Sequence, residues 1–322
     1  MPYQVNQAGL VGDGDEERTG MSSLSKVAAK VVTSRNRKSL ERAITSSLDI
    51  GKHPRLVFAS FKLDATGVKL DDTPLFLHWL NYVERYRRNH IDFSDFGMLQ
   101  FLRKSNSDET LVELFQSIRQ VPEMKKIADT LQRNLYWYSE NGYKIMESVW
   151  LKSRVSPEEV FNIFLLRSES LERSSTFSDW LRYMKLFRKE YGADSFSDLH
   201  LIDLLSKANY RVEAQLGIFM QKLKGNPEFE TLAESVQKTL FHKWIHNKHD
   251  INPKTFGDLL VNPGGEWKSL LMLPKTDARF KTLEGYTLQY AVELRGKSVK
   301  ENVKKLFDGD NPEAALALAM NS

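Results

Sequence analysis

Trp79-Leu80-Asn81-Tyr82-Val83-Glu84-Arg85-Tyr86-Arg87 returns further along the chain as Trp180-Leu181-Arg182-Tyr183-Met184-Lys185-Leu186-Phe187-Arg188, at an offset of 101. In both copies the large apolar residues fall at i, i+3/i+4 and i+7: Trp79, Tyr82/Val83 and Tyr86, then Trp180, Tyr183/Met184 and Phe187. That spacing puts them on one face of an α-helix. The same order continues on either side. Phe93-Ser94-Asp95 recurs as Phe196-Ser197-Asp198 and Val57-Phe58 as Val160-Phe161, both at 103. Pro122-Glu123-Met124, followed by Ile127, Leu131 and Leu135, recurs as Pro227-Glu228-Phe229 followed by Leu232, Val236 and Leu240, at 105. Offsets that drift only between blocks are what changes in loop length produce when helices repeat.

A third copy opens at Ile251-Asn252-Pro253-Lys254-Thr255-Phe256, which echoes Val155-Ser156-Pro157-Glu158-Glu159-Val160-Phe161 with one residue deleted. It then departs from the pattern, with Tyr286-Thr287-Leu288-Gln289-Tyr290 where a tryptophan helix is due, and reads as a degenerate cap on the array. Ser156-Pro157-Glu158-Glu159 and Asn252-Pro253 are helix starts, a capping side chain followed by proline in the first turn. Sustained β-type alternation is absent, so the fold is all-α. The expected organisation is a leader over residues 1–40, a first unit over 41–145, a second over 146–250 and a degenerate third over 251–322.

The chain holds 322 residues, enough for two or three cores. A net charge of +4 sets 46 basic against 42 acidic side chains, too even a mixture for a nucleic-acid stripe. There is no cysteine, which excludes disulfides, thiolate metal sites and cysteine nucleophiles. No apolar run reaches the roughly 18 residues that would span a bilayer. No signal peptide opens the chain, and a leader removed before Met1 stays open. The leader carries Gly9, Gly12, Gly14 and Gly20 around the acidic Asp13-Gly14-Asp15-Glu16-Glu17-Arg18, and reads as a disordered segment. Lys26, Lys30, Arg35, Arg37, Lys38 and Arg42 follow it. This basic run reads either as a nuclear-entry or anion-binding signal or as a solvated helix, and the second is the simpler account.

These elements in this order resemble a known family. Asp15-Glu16-Glu17-Arg18 resembles the dEER element of oomycete RXLR effectors, and the repeats resemble their tandem WY and LWY helical units. Trp79 and Trp180 match the W-motif, with Tyr82 and Tyr183 one turn on. The Leu131/Leu135 and Val236/Leu240 helices match the Y-motif. Trp150-Leu151 through Val160-Phe161 and Leu165 looks like the L-motif linker. The RXLR tetrapeptide is absent from these residues, and the tyrosine position is blurred: Tyr136, Trp137 and Tyr138 face Phe241, His242 and Lys243. The resemblance implies WY/LWY bundles stacked into an elongated array. It also implies a secreted virulence protein acting in the host cell cytoplasm, with the nucleus as a second location. Its partners would be host plant proteins, the protein phosphatase 2A scaffold subunit among them, recruited by mimicry of a regulatory subunit. A monomer without cofactor is expected.

Motifs for chemistry are weak. His242-Lys243-Trp244-Ile245-His246, with His249 nearby, has zincin-like histidine spacing, but lysine stands where that chemistry needs glutamate, so no metal site is expected. Pro263-Gly264-Gly265 lacks the Gly-Lys-Ser/Thr frame of a phosphate loop. No serine sits in a nucleophile elbow. The expectation is therefore a binding protein and not an enzyme. Glu266-Trp267-Lys268-Ser269-Leu270 fits an aromatic-x-x-aliphatic autophagy-receptor motif, which would bind by strand addition. Trp267 and Leu270 also have helical spacing, and core packing is the preferred reading. An RNA-binding helical repeat that acts on silencing is the competing function. The tryptophans and tyrosines that return with the repeat, together with Val57, Phe58, Val160, Phe161 and Phe256, are taken as structural anchors.

Overall fold

A computed structural model describes residues 34–168, 171–209, 213–246, 251–261 and 265–321. The acidic leader, Lys26, Lys30, His249, Pro263 and Gly264 lie outside them. Every regular element among the described residues is helical. None of the helices is long and apolar enough to cross a membrane. The chain forms two compact units, Met1–Val155 and Ser156–Ser322.

In the first unit α1 (Ser34–Asp49) packs on α3 (Pro74–Tyr86), as does the short α2 (Pro54–Ser60). Next come α4 (Asp95–Leu102), α5 (Asp108–Ile118) and α6 (Lys125–Tyr138), with α6 packed on both α4 and α5. Helix α7 (Gly142–Lys152) lies on α5 and α6. Packing thus groups α7 with the first copy, whereas the motif-based division falls at 145/146. The indole Nε1–H of Trp150 on α7 donates to Gln132 Oε1 at 2.6 Å, and both side chains are buried.

The second unit repeats this plan with α8 (Pro157–Ile163), α9 (Ser175–Tyr191), α10 (Asp198–Ala208), α11 (Glu213–Leu223) and α12 (Glu230–Ile245). It then continues through α13 (Pro253–Leu260), α14 (Ala278–Arg295), α15 (Lys297–Asp308) and α16 (Pro312–Met320). The helix starts form as expected. Ser156 and Glu159 complete a reciprocal capping box at α8, and Asn252 Oδ1 accepts from Lys254 N and Thr255 N, each at 3.0 Å, at α13. The third copy packs on the second, since α11 and α12 both touch α14 and α11 also touches α13.

Counted from their proline starts, the three short helices correct one detail of the sequence reading. Phe256 takes the place of Val57 and Val160, and Gly257 that of Phe58 and Phe161, so no residue is deleted before this point. A Cβ on Gly257 would sit 2.6 Å from Trp267 Cβ and 3.6 Å from Leu283 Cδ1. Helix α14 is therefore in register: Phe280, Leu283, Tyr286 and Tyr290 align with Phe76, Trp79, Tyr82 and Tyr86. Leucine stands at the tryptophan position, and Trp267 fills space from outside the helix. The Tyr286 hydroxyl donates to Ile251 O, and the Tyr82 hydroxyl likewise donates to Lys52 O.

Candidate functional site

The residues that define the repeat are core. Trp79, Trp180, Tyr82, Tyr183, Val160, Phe161 and Phe256 are wholly buried, and Val57 and Phe58 nearly so. Burial explains the chemistry of each polar tip, because a buried indole or phenol needs a partner. Trp79 Nε1–H donates to Pro54 O at 2.9 Å, and Trp180 Nε1–H donates to Pro157 O at 2.7 Å. In each copy a phenylalanine stacks on the indole, Phe76 at 5.6 Å and Phe177 at 5.4 Å between ring centroids. A second ring meets it edge-on, Phe58 at 4.9 Å and Phe161 at 5.0 Å. Burial pushes the Tyr82 phenol up to about 12 and raises that of Tyr286 as well, so both stay neutral donors. These aromatics have no free face for a ligand.

Behind the anchors, an arginine ties each tryptophan helix to the next one. Arg87 Nε–H donates to Phe93 O at 2.6 Å and its Nη1 reaches Asp95. Arg188 does the same with Phe196 O at 2.6 Å and Asp198 Oδ1 at 2.7 Å. The Phe-Ser-Asp blocks recur because they are corners: the serine caps the next helix and the aspartate receives the arginine.

What differs between copies lies outside. Phe96 at the start of α4 and Tyr138 at the end of α6 meet with ring centroids 4.4 Å apart, and Trp137 precedes Tyr138 in the chain with its ring against Tyr136. Their exposures are 42, 54 and 55%. At the equivalent places the second copy has Leu199, His242 and Lys243, with Leu199 50% exposed. The same three places thus hold aromatics in the first copy and an aliphatic and two basic residues in the second, where His242 turns to Glu293 and Lys243 to Asp203.

Two motifs singled out in the sequence have definite places. Trp267 and Leu270 lie in a 3₁₀ turn, Trp267–Met272, in which Leu270 is buried and Trp267 half-buried, while Glu266 is exposed at its start. Trp267 N–H donates to Asp258 Oδ1 at 2.9 Å, and Lys254 Nζ lies 5.3 Å from its ring. Strand addition would require this turn to open. His242 in the last turn of α12 and His246, its C-cap, both point their rings at Glu293 of α14: His242 Nδ1 is 3.0 Å and His246 Nε2 2.9 Å from Glu293 Oε2. Local spacing could not have found Glu293, which lies on a helix two further along the chain.

Two family models and several relatives match this chain. The RXLR phytopathogen effector WY-domain family matches residues 85–133 and 186–238, and the PexRD54 effector WY-domain family matches residues 43–83. RxLR effector protein PexRD18 of Phytophthora infestans is 35% identical over 96% of this chain and 65% of its own length. RxLR effector protein 54 of the same species is 36% identical over 51% of this chain and 45% of its own. The crystal structure of the P. infestans effector PexRD54 is 37% identical over 52% of this chain and 62% of that one, with a TM-score of 0.46. The chain thus spans less than two thirds of these relatives. The family models and these relatives place the chain in one family, and it belongs to the RXLR effectors built from WY-domain repeats.

Proposed function

We propose that this chain is a secreted virulence effector that binds host plant proteins and subverts immunity, through surface positions that occur once per repeat. The observation that carries this reading is the division of labour between copies. The buried anchors Val57, Phe58, Trp79 and Tyr82 keep their letters in the second copy, while the exposed positions Phe96, Trp137 and Tyr138 change to Leu199, His242 and Lys243. Exposed aromatics that pack on each other are ready-made anchors for a protein partner.

The specific partner we propose is the host protein phosphatase 2A core, engaged through its scaffold subunit with this chain in the place of a regulatory subunit. That choice follows the resemblance to multi-unit RXLR effectors. The site of action we propose is the host cell cytoplasm, with nuclear entry resting on the basic segment before and within α1. As sequence units we retain breaks at 145/146 and 250/251.

The test is binding of the purified chain to the purified scaffold subunit, followed by calorimetry or interferometry. A 1:1 complex that excludes an endogenous regulatory subunit is the expected result. No measurable complex would remove the phosphatase reading. Salt-dependent retention on RNA in place of protein capture would favour the silencing-directed alternative.

A further inference from the structure

We infer that His242, His246 and Glu293 form a binding site for a divalent transition-metal ion, Zn²⁺ by preference, that fastens α12 to α14. The two histidines are four residues apart, His242 in the last turn of α12 and His246 as its C-cap, and their rings lie 4.5 Å apart on one side. One ligand atom from each of the three side chains falls within 4.8 Å of the other two. A tetrahedral ion with bonds of about 2.0–2.1 Å holds its ligands roughly 3.3–3.4 Å apart, so small side-chain rotations suffice. Two neutral imidazoles and one carboxylate are a three-ligand zinc set, with the fourth position left to water.

The carboxylate is prepared for this task. Glu293 is largely buried, and Gln289 one turn earlier donates from Nε2 to Glu293 Oε1 at 2.8 Å. The same Nε2 donates to the carbonyl of Lys238 on α12, also at 2.8 Å. One carboxylate oxygen is thereby fixed by an amide that spans both helices, and the other, Oε2, is turned to the imidazoles. Such an outer partner orients the ligand oxygen. The histidines are 63 and 46% exposed on their side chains, which leaves an ion an open path from solvent. Imidazole ligands favour zinc and its neighbours over Mg²⁺ or Ca²⁺, and a chain without cysteine offers no thiolate to compete. Because α12 belongs to the second copy and α14 to the third, the ion would staple neighbouring repeats inside Ser156–Ser322.

The experiment titrates the whole chain with Zn²⁺ against a chromophoric chelator, alongside thermal melts with Zn²⁺ and with Mg²⁺. One equivalent is expected at a Kd of about 10 μM or tighter, with a rise in Tm for Zn²⁺ only. The double variant His242→Ala/His246→Ala should lose that equivalent and the Tm rise. Gln289→Ala keeps all three ligands and should weaken binding about tenfold or more. Circular dichroism of each variant checks that the helices persist. Retention of the equivalent in the double variant, or no binding to the wild type at about 100 μM Zn²⁺, would overturn the inference.

Discussion

Replacing Trp180 by alanine should destabilise one unit of the chain and leave the other untouched. Its side chain is fully buried, stacked on Phe177 and met edge-on by Phe161, so the hole left behind has rigid walls. Removing a tryptophan from such a place costs about 3–5 kcal/mol, including the cavity. Phenylalanine at 180 retains one ring and loses the 2.7 Å bond to Pro157 O. Pro157 O sits in the first turn of α8 and faces an ordinary helix donor, so the lost indole bond alone is worth about 0.5–1.5 kcal/mol. With the smaller void added, Trp180→Phe should cost about 2 kcal/mol. A domain of ordinary stability holds about 5–15 kcal/mol, so the alanine change consumes a large part of it. Native-state hydrogen exchange read by mass spectrometry reports each unit separately. Amides of 156–321 should lose protection by the stated amounts, while those of 34–155 shift by less than about 0.5 kcal/mol. A loss below about 1 kcal/mol for Trp180→Ala would refute the assignment of this tryptophan as a core anchor.

Other positions give independent tests. Gly192 follows α9 at φ +90° with open space where a Cβ would stand, so Gly192→Ala meets backbone strain alone and should lower stability by about 1–3 kcal/mol in denaturant titration. Leu165 holds φ +57° while half exposed, and Lys62, its counterpart in the first copy, holds +56°; Leu165→Gly should leave stability unchanged or raise it by up to about 1 kcal/mol, and a larger loss would contradict the turn assignment. Arg182 grips Glu228 with Nε at 2.6 Å and Nη2 at 2.9 Å, and these hydrogen bonds hold the Glu228 carboxyl below its ordinary range. A depressed carboxyl adds stability above its unfolded value and gives it up as pH falls through the folded one. Wild type and Glu228→Gln should therefore differ near neutral pH, by less than about 1 kcal/mol for so exposed a pair, and converge in acid melts below about pH 4.

Much of this fold was legible because the repeat writes its core in large letters. Tryptophan and tyrosine recur at helical spacing in buried places whose geometry tolerates few alternatives, and the Phe-Ser-Asp corner recurs because it caps a helix and receives an arginine. The third copy was harder to read. Leu283 stands where tryptophan is expected, and its partner Trp267 arrives from a turn outside the helix, over a glycine that makes room. No local pattern joins residues 257, 267 and 283. Glu293 escaped for the same reason, since its pairing with His242 and His246 exists only after α14 packs on α12. The variable surface is the least legible part: Phe96 lies far in sequence from the adjacent Trp137 and Tyr138, and only the packing of α4 on α6 brings it to Tyr138.

In the function proposed above, a buried and repeated core displays a variable surface to a host protein. Affinity capture from host plant extract compares the wild-type chain with Phe96→Ala/Trp137→Ala/Tyr138→Ala, a variant whose changes touch only exposed positions. The wild type should recover the protein phosphatase 2A scaffold subunit at stoichiometric levels, and the variant should lose it with its melting curve intact. Equal recovery by both chains, or reproducible recovery of no host protein by the wild type, would contradict the account.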